Sequence, residues 1–113
     1  MASETIGELG AIAPSAATWT EVYAVPDVAG DYAVTSLITV CNTGTSTDYF
    51  SLGTITHSAG TPSLAQTKVS LVPVPPNSTY LLKVGLTLGR NKALTAYSKY
   101  GNLSISAQGV QNV

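Results

Sequence analysis

His57 and Cys41 are the only histidine and the only cysteine of this chain, and their scarcity bounds the chemistry open to it. A hydrolytic triad would use His57 as the base for one of the serines, with a carboxylate behind it. No Gly-x-Ser-x-Gly elbow is present, and His57 stands beside Ser58 in loop-like sequence, where a lone histidine is ordinarily a polar loop side chain. One histidine and one cysteine do not make a metal site, which needs several donors at set spacing, so no metal is expected. No glycine-rich phosphate loop leads into a helix, and no cofactor is expected. Six acids would allow a glycosidase pair by count alone, but such pairs sit in a groove of a larger fold. The residues point away from an enzyme.

What remains are residues that could make contacts. Residues 1–17 read as an extended arm, with a short strand near Glu4 to Ile12. Ile6, Leu9 and Ile12 are sparse apolar positions there, and Gly7 and Gly10 between them weaken a helix. Such anchors are buried either on a neighbour or along the chain's own sheet. Charge supplies the other candidates. All six acids (Glu4, Glu8, Glu21, Asp27, Asp31 and Asp48) precede all five bases (Lys68, Lys83, Arg90, Lys92 and Lys99). Either early and late strands mix the signs within one subunit, or subunits present complementary surfaces, where charge sets register more than affinity. Ile6, Leu9, Ile12, Arg90 and Lys92 are accordingly the candidate subunit or particle contacts.

Composition supports contact over catalysis. Charged residues make up 10% of the chain, against a usual value of ~25%. Serine and threonine, 27 residues between them, supply the polarity instead. Little charge repulsion keeps copies apart, which favours self-association. The net charge of -1 with no basic cluster excludes ordinary nucleic-acid binding. The opening Met-Ala-Ser-Glu-Thr lacks a basic region followed by an apolar one, so no signal peptide is expected. No apolar run approaches the ~18 residues of a membrane helix, and no membrane partner is expected. With Cys41 alone, no internal disulfide can form, and it is expected to be a small buried apolar residue.

The elements that must carry these residues read as strands. The longest apolar run, Asp31 to Gly44, is rich in β-branched residues and suits a central strand with Val34, Ser36, Ile38 and Val40 on one face. Thr18 to Val25, Tyr49 to His57, Thr67 to Val74 and Thr79 to Val84 are further strands. Pro26, Gly44, Gly60 and Pro76-Asn77 punctuate them. Gly53 is a candidate bulge or close approach. Gly85 to Asn91 reads as a loop, and Lys92 to Tyr100 fits helix or strand, with strand the better match. Leu103 to Val110 alternates most cleanly, with Leu103, Ile105, Ala107 and Gly109 on one face. About eight short strands with such turns predict an all-β, antiparallel β-sandwich over 18–113, in jelly-roll or Greek-key form, behind the arm.

Five stretches carry a family likeness. Val22-Tyr23-Ala24-Val25-Pro26 is followed by Leu37-Ile38-Thr39-Val40-Cys41-Asn42-Thr43-Gly44. Val74-Pro75-Pro76-Asn77, Gly85-Leu86-Thr87-Leu88 and Asn102-Leu103-Ser104 come later in matching order. From Leu9 to Val110 the chain resembles small accessory virion proteins of tailed bacteriophages. Trp19 and the proline-rich Val72 to Pro76 depart from that pattern. The resemblance implies a structural subunit made in the host cytoplasm and built into the virion, of cement or decoration type on the capsid, or associated with the tail. It implies major capsid or tail proteins as partners and a homo-oligomer, with a trimer favoured. The competing expectation is a tail-associated adhesin or carbohydrate-binding module that uses exposed Tyr and Trp side chains.

Overall fold

The structure, a computed structural model, describes residues 4–113 and measures 46 × 27 × 19 Å. Its strands are β1 (Glu4–Ile12), β2 (Thr18–Ala24), β3 (Tyr32–Asn42), β4 (Asp48–Thr56), β5 (Thr67–Val74), β6 (Thr79–Leu82), β7 (Thr87–Leu88), β8 (Lys92–Ser98) and β9 (Leu103–Asn112). A single 3-10 turn, Leu64–Gln66, precedes β5. Sheet A runs β1-β9-β3-β6, with β7 also on β3, and sheet B runs β2-β8-β4-β5. All of these strand pairs are antiparallel. The pairing is nested, β1 with β9, β2 with β8, β3 with β6 and β7, and β4 with β5. The chain is thus one long hairpin rolled into two layers. That is a jelly roll.

Nesting accounts for the order of charges. The acid-bearing first half of the chain lies antiparallel to the base-bearing second half, so the signs mix inside one subunit. Asp27 and Arg90 meet across the roll at 2.6 Å as an exposed ion pair.

The core sits between the sheets, where Ile38, Val40, Leu103 and Ile105 from sheet A meet Phe50, Leu52 and Leu94 from sheet B. Each such buried side chain contributes roughly 1.5–3 kcal/mol relative to exposure. β9 follows its period-two pattern, burying Leu103, Ile105, Ala107 and Gly109. β3 does not. Its register shifts between Thr35 and Leu37, leaving Ser36 as the extra residue of a bulge. Ala33 and Thr35 therefore face inward before the bulge, and Ile38, Val40 and Asn42 after it. The expected single face of Val34, Ser36, Ile38 and Val40 is corrected by that one-residue insertion, which moves every later side chain across the sheet.

Gly109 shows why the bulge has its place. A Cβ there would lie 2.1 Å from the Val34 carbonyl oxygen, so β3 can bend onto β9 only over a glycine. Gly53 is the close approach expected of it, since a Cβ there would lie 2.8 Å from Pro62. The 57–66 connection packs Pro62 over that point on sheet B.

The segment read as a loop, Gly85 to Asn91, contains β7 and buries Leu88. Thr35 docks it, donating its hydroxyl to the Val84 carbonyl at 2.6 Å and accepting the Leu86 N–H at 2.9 Å. The open helix-or-strand choice over 92–100 resolves as strand. β8 is central in sheet B, paired on both sides, and places Leu94 and Ala96 in the core. The extended arm is, over residues 4–12, the edge strand of sheet A, hydrogen-bonded along β9.

Candidate functional site

Two ends and two outer faces of the roll can be compared as sites. At one end, three of the motif asparagines converge. Asn42, buried at the tip of β3, donates to the Ser46 and Val74 carbonyls, each at 2.9 Å, and accepts the Gly44 N–H at 2.8 Å. Its backbone carbonyl accepts the Asn77 N–H, and Thr43 N–H donates to the Asn102 carbonyl. Next to them lies Asp48, wholly buried. Its carboxylate accepts the backbone N–H groups of Tyr49, Tyr100 and Asn102 and the Ser98 hydroxyl, at 2.7–2.9 Å. Burial pushes this carboxyl up, but the bonds from Asn102, Ser98, Tyr49 and Tyr100 outweigh it and hold the group below its ordinary value. Asn42 and Asp48 thereby clamp three loops together at this end.

At the other end, His57 Nδ1 meets Glu21 Oε1 at 2.7 Å, and the Ser58 N–H donates to Glu21 Oε2 at the same distance. The pair fastens the β4–β5 connection to β2. Arg90 is held by Asp27, and Lys92 Nζ donates to the Thr56 hydroxyl at 3.0 Å. Among the described residues, no three His, Cys, Asp or Glu side chains gather as a metal site. No helix there is long and apolar enough to cross a membrane.

The outer face of sheet A is different in kind. Ile6 of β1, Val110 of β9 and Val34 of β3 stand in one transverse row, and Ile6 is 88% exposed. Leu37 and, on β6, Leu81 extend this apolar surface, with serines and threonines between them. Leu81 is 59% exposed. Glu4 and Glu8 stand along the β1 edge of this face, and the exposed Lys83, between the core-packed Leu82 and Val84, follows β6 on its other side. Cys41 also faces this way and is only half-buried, because Val40 and Asn42 on either side of it take the inward positions. That corrects its expected burial. Of the candidate contacts, Ile6 is thus fully presented, while Leu9 and Ile12 pack against the core. Arg90 and Lys92 lie at the far end of the roll from the asparagine clamp, in contacts with their own chain.

No protein-family model and no curated protein matches the sequence. Among the solved structures similar to the chain are two that are each described as a pentameric capsid protein isolated from metagenomic phage sequences. One is 13% identical with a TM-score of 0.38, over 98% of this chain and 59% of its own. The other is 11% identical with a TM-score of 0.32, over 98% and 60%. The chain spans about six tenths of the length of each. A likeness this distant carries no argument about function.

The outer face of sheet B holds what the sequence did not single out as a group. Trp19, Ser51, Thr67, Ser70, Leu71 and Tyr97 line an open groove of ≈ 320 Å³. They come from four strands, so only the registers bring them together.

Proposed function

We propose that this chain is a structural subunit of a bacteriophage particle, a cement or decoration protein that works by contact. The observation that carries the reading is the outer face of sheet A. It is broad, carries few charges, and exposes Ile6 at 88% and Leu81 at 59%. Large exposed apolar side chains on a sheet face this low in charge suit burial against a partner. The sequence likeness to accessory virion proteins, carried by the stretches at 22–26, 37–44, 74–77, 85–88 and 102–104, supports it from another side, and three of those stretches meet at the Asn42 clamp that ties the end of the roll together. The partners on this reading are further copies of the chain, in a closed ring such as a trimer, and a major capsid or tail protein.

Sedimentation velocity on the full chain over a concentration series, with cryo-EM maps of particles of the encoding phage, tests this. Wild type is expected to form a closed oligomer, Ile6→Lys to sediment as a monomer with unchanged melting, and the maps to show the roll with sheet A covered. A wild-type monomer absent from the particle would overturn the proposal.

A further inference from the structure

One transverse row crosses all four strands of sheet B. Trp19 of β2 stands opposite Tyr97 of β8, and Tyr97 opposite Ser51 of β4. Ser51 Oγ accepts the N–H of Leu71, on β5, at 2.9 Å. The neighbouring rows turn Phe50 on one side, and Leu52 with Ala96 on the other, into the core, so this row faces out. Its two rings lie 5.4 Å apart and tilted by 43°. With Thr67 and Ser70 they line the open groove on this face.

Leu71 is the unusual member. Its φ is +48°, a left-handed backbone that a bulky side chain rarely takes, and the residue remains 49% exposed. Such strain persists only where the surroundings over-determine it. Here the Ser51 hydroxyl fixes the strained peptide, and the result is a leucine standing at the rim of the aromatic row.

The geometry points to a binding site for a neutral saccharide in this groove. A pyranose ring has C–H groups on its faces and hydroxyls around its rim. Aromatic faces and an aliphatic wall suit the C–H groups, while side-chain hydroxyls suit the rim. Trp19, Tyr97 and Leu71 supply the first set and the exposed Ser70 hydroxyl, with the acceptor lone pairs of Thr67, the second, while the buried Ser51 holds Leu71 in place. None of the six carries a charge, which matches a neutral sugar, and Lys99, beside Tyr49 on this face, holds its ammonium over the Tyr49 and Tyr100 rings at 5.2 and 5.3 Å. The carboxylate on this face, Glu21 in the next row, is engaged by His57 and the Ser58 N–H. An apolar peptide would cover the Ser70 hydroxyl without satisfying it, at a desolvation cost. The site lies on the sheet opposite the proposed docking face, so the two stand or fall separately.

Trp19 is the only tryptophan, which makes its emission a direct readout of the groove. The full-length chain is screened on an array of neutral glycans. It is then titrated with maltotriose, cellotriose, chitotriose and any retained glycan, with heparin as the anionic control. The expected result is retention of at least one neutral glycan and a saturable change in Trp19 emission that heparin does not produce. Tyr97→Ala, and Ser70→Tyr, which fills the groove from an exposed position without disturbing the core, should each weaken binding at least about tenfold. Far-UV circular dichroism should be unchanged in Ser70→Tyr. No retention of any neutral glycan, an emission change that follows protein concentration alone, or binding undiminished in Ser70→Tyr would each overturn the site.

Discussion

Asp48 Oδ2 accepts the backbone N–H of Asn102 at 2.9 Å, tying the first residue of β4 to the turn that opens β9. The carboxylate is wholly buried and meets four donors in all. In Asp48→Asn one oxygen becomes an NH2 group facing donors it cannot accept. A loss of about 3 kcal/mol is expected in urea unfolding. A loss under about 0.5 kcal/mol would mean the turn relaxes at little cost.

The same carboxylate sets an acid limit. Its folded-state value lies below the ordinary 3.8, so ionised Asp48 adds stability at pH above 3.8. That stability is lost as pH falls through the lower folded-state value. Wild type is therefore expected to lose stability progressively below pH 3.8, and Asp48→Asn to lack this part of the slope. Equal acid slopes in the two proteins would remove Asp48 as a cause.

Gly109→Ala places a Cβ 2.1 Å from the Val34 carbonyl oxygen and 2.9 Å from Thr35 Cα. Backbone atoms cannot yield as a flexible side chain would, so a cost of about 3 kcal/mol or more is expected in thermal or urea unfolding. Gly89→Ala is the control, since nothing lies within 4 Å of its Cβ position, and it should change stability by less than about 0.5 kcal/mol.

Cys41 offers a probe of the proposed docking face. Being half-buried on the outer side of sheet A, its thiol should react with a maleimide in the native monomer. Labelling should slow several-fold in the assembled oligomer. Equal rates in monomer and oligomer would move the contact surface elsewhere.

Gly44, Gly101 and the Pro76-Asn77 pair fall in connections between strands, where short-range backbone chemistry is decisive. The alternation of β9 was equally legible, because a strand buried on one face writes that burial at every second residue. Those local signals were enough for an all-β sandwich.

They were not enough for the jelly roll. Of the consecutive strands only β4 and β5 pair directly, while the other turns connect strands that are not partners. A turn therefore says that the chain reverses and says nothing about what it reverses onto. The bulge at Ser36 was invisible for a related reason. It depends on the close approach of Val34 to Gly109, which stand far apart along the chain. Ile6, Leu9 and Ile12 likewise look equivalent as apolar anchors, yet the register on β9, with its irregularity between Glu8 and Gly10, sends Ile6 to solvent and leaves the other two against the core.

The sequence by itself thus determined the strands, their turns, the low charge and the scarcity of reactive side chains. Tertiary structure alone decided the pairing order, the faces after each bulge, and the gathering of Trp19, Tyr97, Ser51 and Leu71 into one row. Strand periodicity is a property of neighbours along the chain. Register is settled only when both sheets bury their inner faces against each other at once.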